Sequence, residues 1–233
     1  MKPRGAQSVM ASRASTRDAL DDFPTPPWAT RAFLHHVMVP LADKPLIDLT
    51  AWEPAANRRF MARALGEYFG QVFETDIEDY GAGVSRLDFI SLRDGLGLTP
   101  LPGFAADVDW IVTNPPFKDL QDWIDVAMKT ARVGFALLCR TAAIETVDRF
   151  EKLWKAQQGH LLFAQYVERV PMVEGRCDPA ASSATAYGWI VWKRAGGLSA
   201  RVPMISAPLV FIPPCRGRFE KSGDYVVKPR VIE

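Results

Sequence analysis

Apolar positions fall into short runs separated by polar stretches, and the period of the runs changes along the chain. The run from Pro45 to Thr50 predicts a first core strand. Arg58 to Phe69 predicts the helix after it, because Phe60, Met61, Ala64, Leu65 and Phe69 share one helical face. Gln71 to Asp76 reads as a second strand that ends in a carboxylate. Arg93 to Phe104 is rich in glycine and proline and predicts a loop. Trp110 to Thr113 is a β-type run stopped by Asn114-Pro115-Pro116, which continues neither a ladder nor a helix. Leu120, Trp123, Ile124, Ala127 and Met128 then form a helical core stripe, and Val133 to Cys139 reads as a buried strand. Glu145 to Gln157 predicts another helix with Val147, Phe150, Leu153 and Trp154 inward, followed by strands at His160 to Val167 and Tyr187 to Trp192.

Upstream, Ala29 to Val37 carries apolar residues at helical spacing, with Thr25 as the expected N-cap and Pro26 at the first helical position. Met1 to Leu20 is polar and aperiodic and predicts a mobile tail. Strand and helix alternate from Leu46 to about Gln157, the signature of a parallel sheet covered on both faces. The last two strands lack a long intervening helix and predict an antiparallel hairpin at one sheet edge. The expected fold is α/β, doubly wound and mostly parallel, with a basic tail at 1–20, a main domain at 21–194 and a basic, proline-rich arm at 195–233.

Composition narrows the picture. A chain of 233 residues, 48% of them hydrophobic, is enough for one α/β domain with a sizeable core. The net charge of +1 gives no bulk attraction for nucleic acid, so any such surface is a local patch. No apolar run approaches a membrane span and the basic N-terminus lacks an apolar h-region, so a soluble, cytoplasmic protein without a membrane partner is expected. Cys139, Cys177 and Cys215 are odd in number and widely spaced, which argues against a disulfide framework or a zinc site. Adjacent residues on a helix diverge by about 100°, so His35 and His36 do not share a metal, and no metal is expected.

The candidate chemistry centres on Asn114-Pro115-Pro116-Phe117. A strand tip holds up an amide, two prolines remove N–H donors and leave carbonyls, and Phe117 adds a flat apolar face. An exocyclic amine on a base needs acceptors for its two hydrogens and a ring to lie against, which is what this stretch offers.

Asn-Pro-Pro-Phe after an apolar strand resembles the catalytic motif of the S-adenosylmethionine (SAM)-dependent amino-methyltransferases, especially the DNA adenine-N6 enzymes. The likeness spans roughly Phe23 to Trp192 and is greatest to the small enzymes of phages and prophages. It implies a Rossmann-like methyltransferase sheet, SAM as cofactor and DNA as partner, RNA being less favoured. The Thr25-Pro26 element resembles the methionine-side motif. Glu53-Pro54-Ala55 with Asn57 resembles the turn after the first strand, Asp76 with Ile77 stands where the ribose and adenine are held, and Asp88-Phe89 resembles the adenine-side motif, Asn114 closing the set. The family's turn carries glycines where this chain has Asn57 and Arg59. Asn tolerates a left-handed backbone, whereas Arg59 either narrows the cleft or points outward.

The resemblance implies base extrusion and direct transfer to adenine N6 without a covalent enzyme intermediate, since the motif after the apolar strand is Asn-Pro-Pro-Phe and not a Pro-Cys nucleophile of the cytosine-C5 type. Other planar amines, on RNA bases or a protein glutamine, suit the same motif, and the missing glycines leave open a fold remnant that only binds nucleic acid. Candidate phosphate contacts are Lys118 just after the motif, Arg169 and Arg176 in the loop from Glu168 to Ala186, and Lys193, Arg216 and Arg218 in the basic end. No separate recognition domain is visible, which implies weak or very short sequence specificity. Oligomeric state is not legible.

Overall fold

The computed structural model describes residues 21–93, 103, 107–154, 159–194 and 207–229. The expected tail at 1–20, most of the loop at 93–104, residues 195–206 and 230–233 of the arm, and the side chain of Trp154 lie outside the described residues.

Eight strands form one sheet: β1 (Thr50–Glu53), β2 (Gln71–Asp76), β3 (Ser85–Arg86), β4 (Trp110–Thr113), β5 (Gly134–Arg140), β6 (Gly159–Tyr166), β7 (Tyr187–Arg194) and β8 (Leu209–Ile212). Their order is β3-β2-β1-β4-β5-β7-β6-β8. Pairing is parallel from β3 through β5, whereas β7 is antiparallel to both β5 and β6. The expected mostly parallel α/β sheet and its antiparallel hairpin are therefore present. The hairpin is not outermost, because β8 pairs in parallel with β6 beyond it.

Period-two alternation puts Trp110, Val112, Ala136, Leu138, Trp189 and Val191 on one face of the central strands. Ile111, Phe135, Leu137, Ile190 and Trp192 lie on the other. The first face is covered by α1 (Pro27–Phe33), which continues through a π-helical turn at Leu34–Met38 into α2 (Val39–Leu41), and by α3 (Phe60–Leu65). Phe33 stacks on Trp189 with ring centroids 4.0 Å apart. The second face is covered by α4 (Leu120–Thr130), whose Leu120, Trp123, Ile124 and Ala127 are buried as their spacing requires.

Three expectations are corrected. The first strand does not run from Pro45 to Thr50: Leu46–Asp48 is a 3-10 turn with Ile47 62% exposed, and β1 starts only at Thr50. A Cβ at Gly70 would lie 2.1 Å from the Ile47 carbonyl oxygen, so only glycine fits against this turn. The strand's start is set by a latch, in which the Thr50 N–H donates to Asp109 Oδ2 and the Asp109 N–H donates to Thr50 Oγ1, each at 2.9 Å. Second, of the helix expected over Glu145 to Gln157 the described residues carry α5 (Val147–Arg149) running on into a π-helical turn at Phe150–Trp154, with a different face inward. Val147 is 80% exposed and Phe150 is exposed, so of the expected inward face Leu153 alone is seen buried among the described residues. Third, Thr25 does not cap α1: Pro26 is the N-cap and Pro27 takes the first helical position, where a missing N–H costs nothing.

The C-terminal stretch 207–229 packs against the first helices. After β8, the short α6 (Arg216–Phe219) lies by α1, and Arg31 of α1 donates through Nη1 to the Phe219 carbonyl at 2.7 Å. The same guanidinium makes a two-pronged pair with Asp224, both bonds 2.8 Å, and another with Glu67, again 2.8 Å twice. Arg31 and Asp224 are each 5% exposed. Burial opposes ionisation of Asp224, but hydrogen bonds from Arg31 and the Lys221 N–H, with the charges of Arg31 and Arg63, outweigh it and hold the carboxyl below its ordinary 3.8. Such a group stabilises the fold above its unfolded pKa and ceases to do so as pH falls through its lower folded value.

Replacing Asp224 by Ala leaves one edge of a buried guanidinium unpaired and should cost about 2–4 kcal/mol in urea unfolding, with the slope unchanged. The wild type should also lose stability more steeply than the variant as pH falls below 3.8.

Candidate active site

In a doubly wound sheet a ligand sits outside the carboxyl ends of the strands where the order reverses, and here that point lies between β1 and β4. A cleft occupies this position. Thr25, Glu53, Pro54, Ala55, Asn57, Asp76, Ile77, Asp88, Phe89 and Asn114 all line it, so of the residues expected to hold a cofactor only Pro26 stands apart, as the cap of α1. Of the Asn-Pro-Pro-Phe motif, Asn114 and Pro116 face the cleft, while Pro115 and Phe117 lie beside it.

The Asn114 side chain has one orientation for a physical reason. Its Nδ2 donates to the Phe23 carbonyl at 2.8 Å and points at Met172 Sδ at 3.9 Å. A carbonyl accepts only from a donor, so the nitrogen is fixed on that side and the oxygen on the other. Asn114 Oδ1 is shielded from solvent and makes no hydrogen bond. An acceptor without a partner costs roughly 1–3 kcal/mol, which an arriving N–H offsets.

Residues 21–24 form a strap across the mouth. Asp21 Oδ2 accepts from the Phe117 N–H at 2.9 Å and the Phe23 carbonyl holds Asn114. Asp22 Oδ1 accepts from Asn57 Nδ2 at 2.8 Å, and its carboxylate pairs with Arg58 at 2.7 and 3.0 Å. The Asp22 carbonyl accepts from the Gly175 N–H of the late loop at 2.8 Å. Asp21 and Phe23 thus belong to the site, although sequence reading passed over them; the only signal was an acidic pair just before a proline-rich helix start.

The turn after β1 reaches a left-handed backbone without glycine. Asn57 has φ 49° and Arg59 has φ 66°. The Asn57 N–H donates to Asp76 Oδ2 at 2.8 Å, which ties the turn to the end of β2. Arg59 points outward: its guanidinium pairs with Glu74 through both nitrogens, one bond at 2.9 Å, and Nη1 reaches the Lys228 carbonyl at 3.2 Å. It does not line the cleft.

Electrostatically the floor is acidic. Glu53, the last residue of β1, is 2% exposed, and its Oε2 is buried without a partner. Burial, with Glu74 and Asp76 nearby, pushes its carboxyl well above the ordinary 4.5, opposed only in part by the Ala62 N–H and Arg59. Burial likewise raises Asp76, although N–H groups of Glu78, Asn57 and Ile77 favour its charged form. Thr25 Oγ1 is a third buried oxygen without a partner on the cleft lining. Phe89 packs edge-on to Trp52 and stacks on Trp123, with centroids 5.2 and 4.7 Å apart, so it forms an apolar wall.

Phe117 sits in an aromatic group with Phe23 and Tyr187, centroids 6.1 and 6.2 Å away, and the Arg140 guanidinium lies 4.4 Å from its ring centre. Of the expected phosphate contacts, Lys118 is exposed on the rim of the cleft. Arg169 and Arg176 are exposed, the latter paired with Asp178. Arg216 is engaged by Glu220 and lies over Trp28, and Arg218 packs on Phe219. Lys193 is a correction: it pairs in register next to the start of β5, at the sheet edge opposite the cleft, and its amine is held by Asp43 and the Leu41 carbonyl. No cluster of metal-ligating side chains occurs among the described residues, and no described helix is long and apolar enough to cross a membrane.

No protein-family profile matches the chain, and no curated protein matches it in sequence. Solved structures do match in shape. One is a protein from Listeria monocytogenes assigned to the class I SAM-dependent methyltransferases, 13% identical, TM-score 0.53, over 80% of this chain and 65% of that one. A protein from Pyrococcus horikoshii assigned as an RNA methyltransferase is 12% identical with TM-score 0.52, over 80% and 91%. The methyltransferase subunit of a type I restriction-modification system from Streptococcus thermophilus is 11% identical with TM-score 0.54, over 91% and 51%. The chain therefore spans about two thirds of the Listeria protein and about half of the Streptococcus subunit. What it shares with all three is the Rossmann-like fold of the class I SAM-dependent methyltransferases.

Proposed function

We propose that this protein transfers a methyl group from SAM to the N6 amino group of adenine in DNA, with weak or very short sequence specificity. The observation that carries the reading is Asn114: an amide pinned by its nitrogen to Phe23, with a buried acceptor oxygen left without a partner in a residue that lines the cleft. The fold supports SAM as the cofactor, and the chain's own residues fit that molecule. Glu53 Oε2 and Thr25 Oγ1 are buried acceptors without partners, suited to a ligand that carries an ammonium and a sulfonium. Asp76 at the end of β2 suits a ribose diol, since a carboxylate accepts two hydroxyl hydrogen bonds. Phe89 and Ile77 offer apolar surface for an adenine ring, with Asp88 at the rim, and Pro54, Ala55 and Asn57 shape the turn beneath. When bound, SAM supplies an electrophilic methyl group.

The remaining steps belong to the protein. Asn114 Oδ1 and the Pro115 carbonyl accept the two hydrogens of an extruded base's amine, which turns the nitrogen lone pair out of the ring plane. Phe117 supports the ring, and stacking of this kind recovers about 1–3 kcal/mol of the extrusion cost. Asp21 fixes the Phe117 backbone, and the Phe23 carbonyl prevents the amide from flipping. Positioning of this sort is the main source of rate where no covalent intermediate forms. Lys118, Arg169 and Arg176 are the candidate phosphate contacts that are exposed. A remnant that only binds nucleic acid is disfavoured by Arg59, which turns away from the cleft.

Incubation with methyl-labelled SAM and separate pools of DNA, RNA and protein should place the label in DNA as N6-methyladenine; label in RNA or on glutamine would redirect the reading to another planar amine. Asn114→Ala should bind SAM nearly as wild type in calorimetry while losing about 10²-fold or more in transfer. Phe117→Ala should weaken capture of a 2-aminopurine target, read as a smaller fluorescence rise on binding.

Glu53 gives a pH signature. An acid whose folded pKa is raised loses fold stability as pH climbs from 4.5 toward the folded value, so Glu53→Gln should flatten that decline. A cation bound at Glu53 favours its charged form, so SAM affinity should rise with pH above 4.5 in the wild type, a dependence that Glu53→Gln should lose, measured by calorimetry across pH.

A further inference from the structure

The geometry points to a second site, for a phosphate-class oxyanion, in the cavity between α1, α3 and the turn at 221–228. This cavity shares no lining residue with the cleft at Asn114. Its charged walls are Arg31, Arg63, Lys221 and Lys228 against Glu67 and Asp224, an excess of two positive charges.

Hydrogen-bond accounting shows which cations are left over. Arg31 spends its guanidinium on Glu67, Asp224 and the Phe219 carbonyl. Lys221 places its amine on Glu67 Oε2 at 2.7 Å and its N–H on Asp224 Oδ2 at 2.9 Å. Both carboxylates are thereby engaged. Among the described residues Arg63 donates to a carbonyl, that of Asp224 at 2.8 Å, and lies over the face of Phe60 at 5.2 Å. Its Nε is shielded from solvent and has no hydrogen-bond partner. Lys228 has no carboxylate partner among the described residues, and its backbone is held in place because its carbonyl accepts from Arg59.

A half-buried guanidinium whose Nε lacks an acceptor is costly, and an anion placed between it and the exposed Lys228 amine would relieve that cost. Burial, with Arg59 and Arg31 adding to it and Asp224 opposing, makes the charged form of Arg63 less favourable than usual, so an anion here removes an existing penalty. A flat carboxylate would satisfy the guanidinium alone. A tetrahedral oxyanion presents oxygens in several directions, to the Arg63 fork, the Lys228 amine and the Ser222 hydroxyl on the same wall. Free phosphate and a nucleic-acid backbone phosphate share this chemistry.

The test is calorimetric titration of the full chain with inorganic phosphate at constant ionic strength. Saturable binding is expected, weakened about tenfold in Arg63→Met, which keeps the apolar stem over Phe60, and in Lys228→Met. Lys228 is exposed, so the second variant tests the site even where the first folds poorly. Duplex DNA identifies the source: competition by phosphate, with a salt slope about one lower in Lys228→Met, marks a backbone phosphate, whereas unchanged DNA binding beside retained phosphate binding marks a free anion. Either result supports the site. Absence of saturable phosphate binding, or binding of equal strength in wild type and both variants, overturns it, and neither bears on transfer at Asn114.

Discussion

One hydrogen bond fixes the side chain on which the proposed chemistry depends: the 2.8 Å contact from Asn114 Nδ2 to the Phe23 carbonyl. An unconstrained asparagine presents donor and acceptor alternately, and a free donor facing an amine would repel it. Tying the nitrogen to a backbone carbonyl makes the side chain acceptor-only on its other side, at the end of a strand whose residues are all buried. The residue supplying the carbonyl belongs to a strap that also fixes Phe117 through Asp21 and the turn after β1 through Asp22. The Asn114 amide and the turn at the floor of the cleft are therefore held by the same three residues, Asp21, Asp22 and Phe23.

The floor shows how the fold does without the glycines its turn normally employs. Left-handed backbone at a non-glycine residue costs about 1–2 kcal/mol. Asn57 offsets it with bonds from its N–H to Asp76 and from its side chain to Asp22. Arg59 offsets it with Glu74, a pairing that also draws the long side chain away from the cleft. The substitution that looked most threatening to ligand binding is thus an outward brace between the turn, β2 and the C-terminal stretch.

How much was legible in the sequence follows from which forces acted locally. β2, β4, β5 and the β6–β7 pair were readable because their faces are filled by β-branched, aromatic and leucine side chains, so composition alone marks them. α4 was readable from its stripe. β1 was not, because Ala51-Trp52-Glu53 has no apolar run; a latch to Asp109, remote in sequence, decides where it begins. β8 was missed for the opposite reason: Leu209-Val210-Phe211-Ile212 is apolar, but it lies in a stretch whose basic and proline content suggested an arm. Most residues that line the candidate cleft were legible, since the motif and the strand ends bring them to one edge. Phe23 acts through its carbonyl, which no side-chain pattern encodes, and Thr25 has a cap-like context but caps nothing and lines the cleft.

The most direct test is nuclear magnetic resonance of the Asn114 side-chain amide in selectively labelled protein. The pinned amide requires one Nδ2 proton protected from solvent exchange and a through-bond coupling to the Phe23 carbonyl carbon. Rapid exchange of both protons with no such coupling would mean that the acceptor is not held, and the account built on it would fail.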